Sequence, residues 1–262
     1  MTTALQTAAT GMKAQQINIQ VIANNLANVN TTGYKKQRAE FQDLLYQSIQ
    51  APGASTTSTT KNTSGMSIGL GSRLAATQRE FTQGSAKATS RELDVMIEGQ
   101  GFLRLTMPDG ELAYTRAGAL ETDDTGRLTT IDGDPLADGV TIPADATGIQ
   151  IGKDGTVEVR QGNQTIWSQV GSIQLANFSN ESGLEALGHN LFKETIVSGP
   201  AASGTPGENG LGRLTQGFLE LSNVEMVDEL VSMITAQRAY EINSKAITTA
   251  DDMMQTAVNL KR

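Results

Sequence analysis

Five large apolar residues near the C-terminus, Met226, Met233, Tyr240, Ile247 and Met254, stand seven positions apart. Four near the N-terminus, Leu5, Met12, Ile19 and Leu26, repeat the interval. A sustained seven-residue interval marks a helical seam, narrower than the apolar stripe of a helix that packs on a globular core. The companion positions at the C-terminal end are Leu230, Ala236, Asn243, Ala250 and Ala257, mostly small enough to let another helix approach closely. No Gly or Pro interrupts Met226 to Val258, so this helix could run roughly 50 Å at 1.5 Å per residue. Ser222-Asn223-Val224-Glu225 offers an N-cap, with Glu225 placed for a capping box with Ser222. The N-terminal run is weaker. Gly11 interrupts it at a cost of about 1 kcal/mol, and Asn28 to Asn30 with Gly33 beyond them signal its end.

Two narrow seams bury little compared with the backbone entropy of ordering both ends. One expectation is that the ends fluctuate in the monomer and become helical on assembly. The other is an ordinary helix pair complete within one chain. Residues 1–45 carry four basic and two acidic side chains, and residues 218–262 four basic and seven acidic. Opposite signs favour pairing of the two ends, though exposed charges contribute little.

Between the seams the texture changes. Residues 51–67, APGASTTSTTKNTSGMS, are small and polar and read as a linker or extended loop. Before them, Lys35, Lys36 and Arg38 form a short basic patch whose ordinary reading is a solvated surface, and Phe41, Leu44, Leu45 and Tyr46 suggest a second, shorter amphipathic piece. After them come short alternating runs punctuated by turn signals: Leu93–Ile97, Phe102–Leu105, Asp109-Gly110, Leu112–Thr115, Leu128–Ile131, Ile149–Ile151, Asp154-Gly155, Val157–Val159, Thr165–Trp167 and Ser172–Ala176. Turns at intervals of about eight to twelve residues describe an all-β domain. Ser198 to Gly212 reads as a second polar loop. The expected fold is α+β, with long N- and C-terminal helices in a coiled-coil-like domain and a central all-β domain. The expected divisions are a helical segment 1–45, a linker 46–70, a β-rich domain 71–217 and a helical segment 218–262.

Composition excludes several kinds of chemistry. The net charge of −8 argues against nucleic-acid binding. Without cysteine there is no disulfide, thiolate metal site or thiol nucleophile. No basic leader precedes an apolar core and no run approaches about eighteen apolar residues, so neither a cleaved secretory signal nor membrane insertion is expected. His189 is the only histidine, and the Asp123-Asp124 and Asp132/Asp134 pairs lack the spacing of a calcium loop. Gly99-Gln100-Gly101 lacks the third glycine of a dinucleotide fingerprint. The expectation is a non-enzyme with no cofactor, no metal and no catalytic residues. A β-domain glycosidase or a glycan-binding module stays open beside it: a pair of carboxylates in a cleft is not excluded by sequence, whereas one Trp is a poor aromatic platform.

Four blocks in chain order carry a resemblance. They are Ala23 to Lys35 (ANNLANVNTTGYK), Leu93 to Phe102 (LDVMIEGQGF), Tyr114 to Gly118 (YTRAG) and the closing stretch from Ser222-Asn223-Val224 through Gln237-Arg238-Ala239-Tyr240-Glu241-Ile242-Asn243. Together they resemble the rod and hook proteins of the bacterial flagellum, over nearly the whole chain. The motif positions are Asn24, Asn25, Leu26, Ala27, Asn28, Thr32, Gly33, Tyr34, Gln237, Arg238, Tyr240 and Asn243. The resemblance implies a subunit of the basal-body distal rod, self-assembling into a helical tube that transmits torque from motor to hook; the alternative is a proximal-rod or hook-type subunit. It implies terminal helices pairing in an inner shell, with Leu5, Met12, Ile19, Leu26, Met226, Leu230, Met233, Tyr240, Ile247 and Met254 as assembly contacts, and residues 51–67 held by an adjacent subunit. It implies proximal rod subunits and hook protein as axial partners, P- and L-ring bushing proteins around the rod, and export through the flagellar type III apparatus without a cleaved signal peptide.

Overall fold

In a computed structural model, the structure describes residues 2–50, 63–162 and 166–259. Two terminal helices and a large β-rich centre make the fold α+β. The chain divides into two compact units: residues 1–27, 37–78 and 225–262 form one, and residues 28–36 and 79–224 the other.

In the first unit, helix α1 spans Thr2–Ala27 and helix α2 spans Met226–Asn259. They pack against each other within one chain. The last turn of α1 meets the first turn of α2, where Asn25 Nδ2 donates to Glu229 Oε2 at 3.3 Å. Midway, Gly11 faces Asn243, and a β-carbon at Gly11 would lie 3.1 Å from Asn243 Nδ2. The pair is therefore antiparallel. Gly11, a defect when α1 is considered alone, sits where the helices come close. On α2 the buried and half-buried positions are Glu229, Met233, Ala236, Ala239, Asn243, Ser244, Ile247, Ala250 and Met254, most of them three or four residues apart. Glu229, Ala236 and Ala250 are buried; the two small alanines, on the same side of the helix, allow the close approach.

Another side of α1 faces strands. Thr10, Lys13, Ala14 and Ile17 line a cavity of about 370 Å³ with Leu44 and Ser72–Leu74. Residues 37–43 and 72–79 pair, and 46–50 pairs antiparallel with 66–69. Residues 37–43 and 46–50 are thus strands, so the segment expected as helical over 1–45 is helix only to Ala27, and the amphipathic piece around Phe41 to Tyr46 belongs to two strands. The cause is long-range: the Asn25 side-chain amide binds the Gln37 backbone in both directions, donating to its O at 2.8 Å and accepting from its N at 2.9 Å. That contact holds the start of strand 37–43 against the last turns of α1, a pairing that no local pattern announces. Most of the polar stretch 51–67 lies outside the described residues, which resume at Thr63.

The second unit is built from antiparallel strands. Its six-stranded sheet runs 185–188, 191–193, 112–115, 102–106, 175–177, 202–204 in spatial order. A three-stranded sheet comprises 146–151, 156–161 and 168–172. Strands 95–98 and 86–88 pair with the late strands 213–216 and 218–220. Alternation on strand 102–106 separates two cores. Leu103 and Leu105 join Val95, Ile97, Leu120, Val157, Ile173 and Leu214. Phe102 joins Tyr114, Phe178 and Phe192 in an aromatic cluster that also takes in Phe81, with edge-to-face contacts of 4.8–5.9 Å between ring centroids. Concentration in one cluster makes a small aromatic content sufficient.

Several sequence expectations change here. Ser172–Ala176 is not one strand: 168–172 and 175–177 lie in different sheets. The expected loop 198–212 contains strand 202–204. Residues 163–165 lie outside the described residues, so the Thr165–Trp167 run is seen only from Ile166, ahead of strand 168–172. The Ser222–Glu225 capping box does not form. Ser222 Oγ accepts from Val224 N at 3.3 Å, and Asn223 donates to Glu80 O at 2.8 Å while accepting from Lys36 N at 2.8 Å.

The basic patch at 35–38 is also not simply solvated. Lys35 is fully buried, with Nζ 2.6 Å from Glu220 Oε1 and donating to Thr82 O at 2.7 Å. Gly84 N donates to the same carboxylate oxygen at 2.9 Å. Arg116, also buried, donates to Gly99 O at 2.8 Å and lies 3.5 Å from Glu220 Oε2. Burial pushes the Lys35 pKa down, and Glu220 opposes that shift. Beside this cluster, burial raises the pKa of Glu181, with Arg116 and Lys35 pulling the other way. A raised carboxyl pKa makes the charged form costlier in the folded than in the unfolded chain. That cost is fully present above the folded pKa and vanishes as pH falls below the unfolded value of about 4.3. Glu181→Gln is therefore expected to raise the thermal midpoint at pH 7 and to lose the advantage near pH 4. Circular dichroism at the two pH values measures it, and an equal difference at both would contradict the assignment.

Candidate assembly surface

An α-helix turns 100° per residue, so each face of α2 can be followed from its spacing. The side opposite Glu229, Ala236 and Ala250 carries Val227, Val231, Ile234 and Ile242, which are 71%, 59%, 58% and 68% exposed. Met226 and Leu230 flank this stripe and are also exposed. Among the described residues, α1 shows no exposed large apolar side chain; its outer positions are small or polar, such as Gln6, Ala9, Gln16 and Gln20. The strand pair 46–50 and 66–69 of the same unit also exposes Leu45, Tyr46, Ile49, Met66 and Ile68. Contiguous apolar surface of this kind marks a contact for another molecule.

The electrostatics of α2 fit its ends unequally. Asp228 and Glu229 in the first turn complement the helix dipole. Arg238 pairs with Glu241 at 2.9 Å on the exposed side, so the apolar stripe is strongest before that ion pair. Among the described residues, no group of three or more His, Cys, Asp or Glu is arranged to hold a metal, and no helix is long and apolar enough to cross a membrane. Asp123 instead closes its own turn: its Oδ1 accepts from Thr125 Oγ1 at 2.7 Å and from Arg127 N at 2.9 Å, which lowers its pKa. His189 Nδ1 lies 3.4 Å from Asp132 Oδ2 in an exposed turn.

The residues singled out from sequence fall into different environments. Leu5, Met12, Ile19 and Leu26 are half-buried on α1, as are Met233, Ile247 and Met254 on α2. Met226, Leu230 and Tyr240 are exposed. Of the motif positions, Asn25, Gly33 and Tyr34 are buried; Asn28, Thr32 and Asn243 are half-buried; Asn24, Ala27, Gln237 and Arg238 are exposed. Gly33 has φ of +70°, and a β-carbon there would lie 2.7 Å from Ala117 N, so both backbone and space demand glycine. Sequence reasoning missed Val227, Val231 and Ile234. Their steps of four and three were a usable signal, overshadowed by the longer run of large residues at Met226 and Met233.

Comparison with known proteins covers the chain from end to end. Residues 5–35 match the family described as flagella basal body rod protein. Residues 96–159 match the flagellar hook protein FlgE/F/G D1 domain, and residues 215–260 the flagellar basal body rod FlgEFG protein C-terminal. The flagellar basal-body rod protein FlgG of Caulobacter vibrioides is 50% identical over 259 residues, covering 98% of this chain and 99% of that protein. FlgG of Borreliella burgdorferi is 48% identical and FlgG of Bacillus subtilis 41% identical, each over the full length of both chains. The chain accordingly belongs to the FlgG family of flagellar basal-body rod proteins, structural subunits of the bacterial flagellum.

Proposed function

We propose that further copies of this chain cover the outer face of α2, building the distal part of the rod as a helical tube that transmits torque from motor to hook. The uncovered row Val227, Val231, Ile234 and Ile242 carries this reading. Tyr46, Ile49, Met66 and Ile68, on the strand pair of the same unit, are exposed apolar residues outside that row. Contacts between unlike patches are head-to-tail and extend into a helical filament when the rotation between copies does not close a ring. In this reading α1 and α2 pack with those of neighbouring copies as a coiled-coil-like inner shell, and the β-rich unit forms the outer one. Leu5, Met12, Ile19, Leu26, Met226, Leu230, Met233, Tyr240, Ile247 and Met254 contribute to that shell, and residues 51–67 are held by an adjacent copy.

The axial partners in this reading are proximal rod subunits and hook protein, with P- and L-ring proteins around the shaft and delivery through the type III export apparatus. The protein acts without catalysis, so purified protein should leave peptidoglycan intact. Electron microscopy of concentrated protein tests the assembly: straight tubes are expected, curved tubes would move the chain towards a hook-type role, and no tubes at any concentration would overturn it. Deleting residues 51–62 is expected to leave tubes that bend more easily, and tubes of unchanged stiffness would remove that segment from the interface.

A further inference from the structure

The buried charges of the β-rich unit come from positions far apart in the chain. Lys35 enters before the first strand of this unit, Arg116 follows its central hairpin, and Glu220 ends strand 218–220. Each depends on backbone from yet other segments: Lys35 on Thr82, Glu220 on Gly84, and Arg116 on Gly99 and the Phe102 ring, 5.4 Å from its guanidinium carbon. Strand 218–220, which carries Glu220, pairs with 86–88, with Glu220 opposite Ala86. A partly assembled cluster would place a charge in a low-dielectric interior without its partner, which is strongly unfavourable. Long loops must also close before these contacts form.

We infer that Lys35, Arg116 and Glu220 act as a kinetic latch: they lose their water and lock after the folding transition state, setting how slowly the β-rich unit opens rather than how fast it forms. This use of the latch rests on the rod reading, because a torque-bearing subunit gains from a fold that rarely opens. Its test uses the dilute full-length chain and no polymer, so its failure is separate from failure of assembly.

Trp167, the single tryptophan, lies in the β-rich unit and reports on it by fluorescence. In stopped-flow urea experiments Glu220→Gln is expected to speed unfolding at least thirtyfold and to change refolding less than twofold, the signature of contacts absent from the transition state. Refolding slowed as much as unfolding is accelerated would overturn the latch. A second variant covers the case in which Glu220→Gln does not fold. Lys35→Met, Arg116→Leu and Glu220→Leu together replace the charges with apolar side chains that need no simultaneous desolvation. That triple variant is expected to refold within twofold of the parental rate, because the charges act only after the transition state; a refolding rate changed more than fivefold would overturn the inference.

Discussion

Aspartate at both Val231 and Ile234 is expected to abolish tube formation while leaving the chain folded. These side chains are more than half exposed on the face of α2 away from α1, so the charges stay in water in the isolated subunit. In a tube they would enter a subunit contact. Burying the remaining apolar area contributes roughly 1 kcal/mol per side chain, and desolvating unpaired carboxylates costs several more. The sum exceeds about 4 kcal/mol, so the concentration needed for assembly should rise about a thousandfold or more. Sedimentation and electron microscopy measure assembly, and far-UV circular dichroism checks that helix content is retained. Assembly at the parental concentration would show that another surface of the chain drives it. Ile247→Asp makes a useful contrast. Ile247 is half-buried on the side of α2 that faces α1, so its loss should open the helix pair itself, and tubes and helix signal should disappear together.

Gly118→Ala is expected to destabilise the β-rich unit by at least about 4 kcal/mol. A β-carbon at Gly118 would lie 1.6 Å from Val95 O and 2.8 Å from Val95 C. The obstruction is backbone, not the movable end of a side chain. Val95 N donates to Gly118 O at 2.9 Å, and the Val95 side chain is in the core, so strand 95–98 and the segment carrying Gly118 cannot move apart without losing both contacts. The expected observation is a fall of more than about 10 °C in the thermal midpoint of the β signal, or a chain that does not fold. Gly110→Ala is the control. It has φ of +84° but nothing within 4 Å of its β-carbon, so the cost should be only the conformational one, about 1–2 kcal/mol. Equal effects at the two positions would mean that close packing at Gly118 is not what requires glycine there.

Local signals placed many elements. Asp109-Gly110 turns between strands 102–106 and 112–115, and Asp154-Gly155 turns between 146–151 and 156–161. Both turns need a residue with positive φ at a fixed place, a demand that a short stretch of sequence reveals. The end of α1 was visible for the same reason, in Asn28 to Gly33. Strand 37–43 was not visible, because the amide that starts it belongs to Asn25 on the preceding helix. Lys35 looked like its solvated neighbours because nothing nearby in the chain announces Glu220, 185 residues away. The candidate surface was half legible: the terminal repeats pointed to α2, but the highlighted Met233 and Ile247 turned inward, and Val227, Val231 and Ile234 were left outward.

From the residues alone came two long helices at the ends, a turn-punctuated β centre and the family to which the chain belongs. Periodicity and turn chemistry are properties of neighbouring residues and survive without knowledge of the fold. Tertiary structure decided which stripe of α2 meets α1, which stripe is left to water, and which charges are removed from it. A repeat says that residues share a side of a helix; only packing against distant parts of the chain says what covers that side.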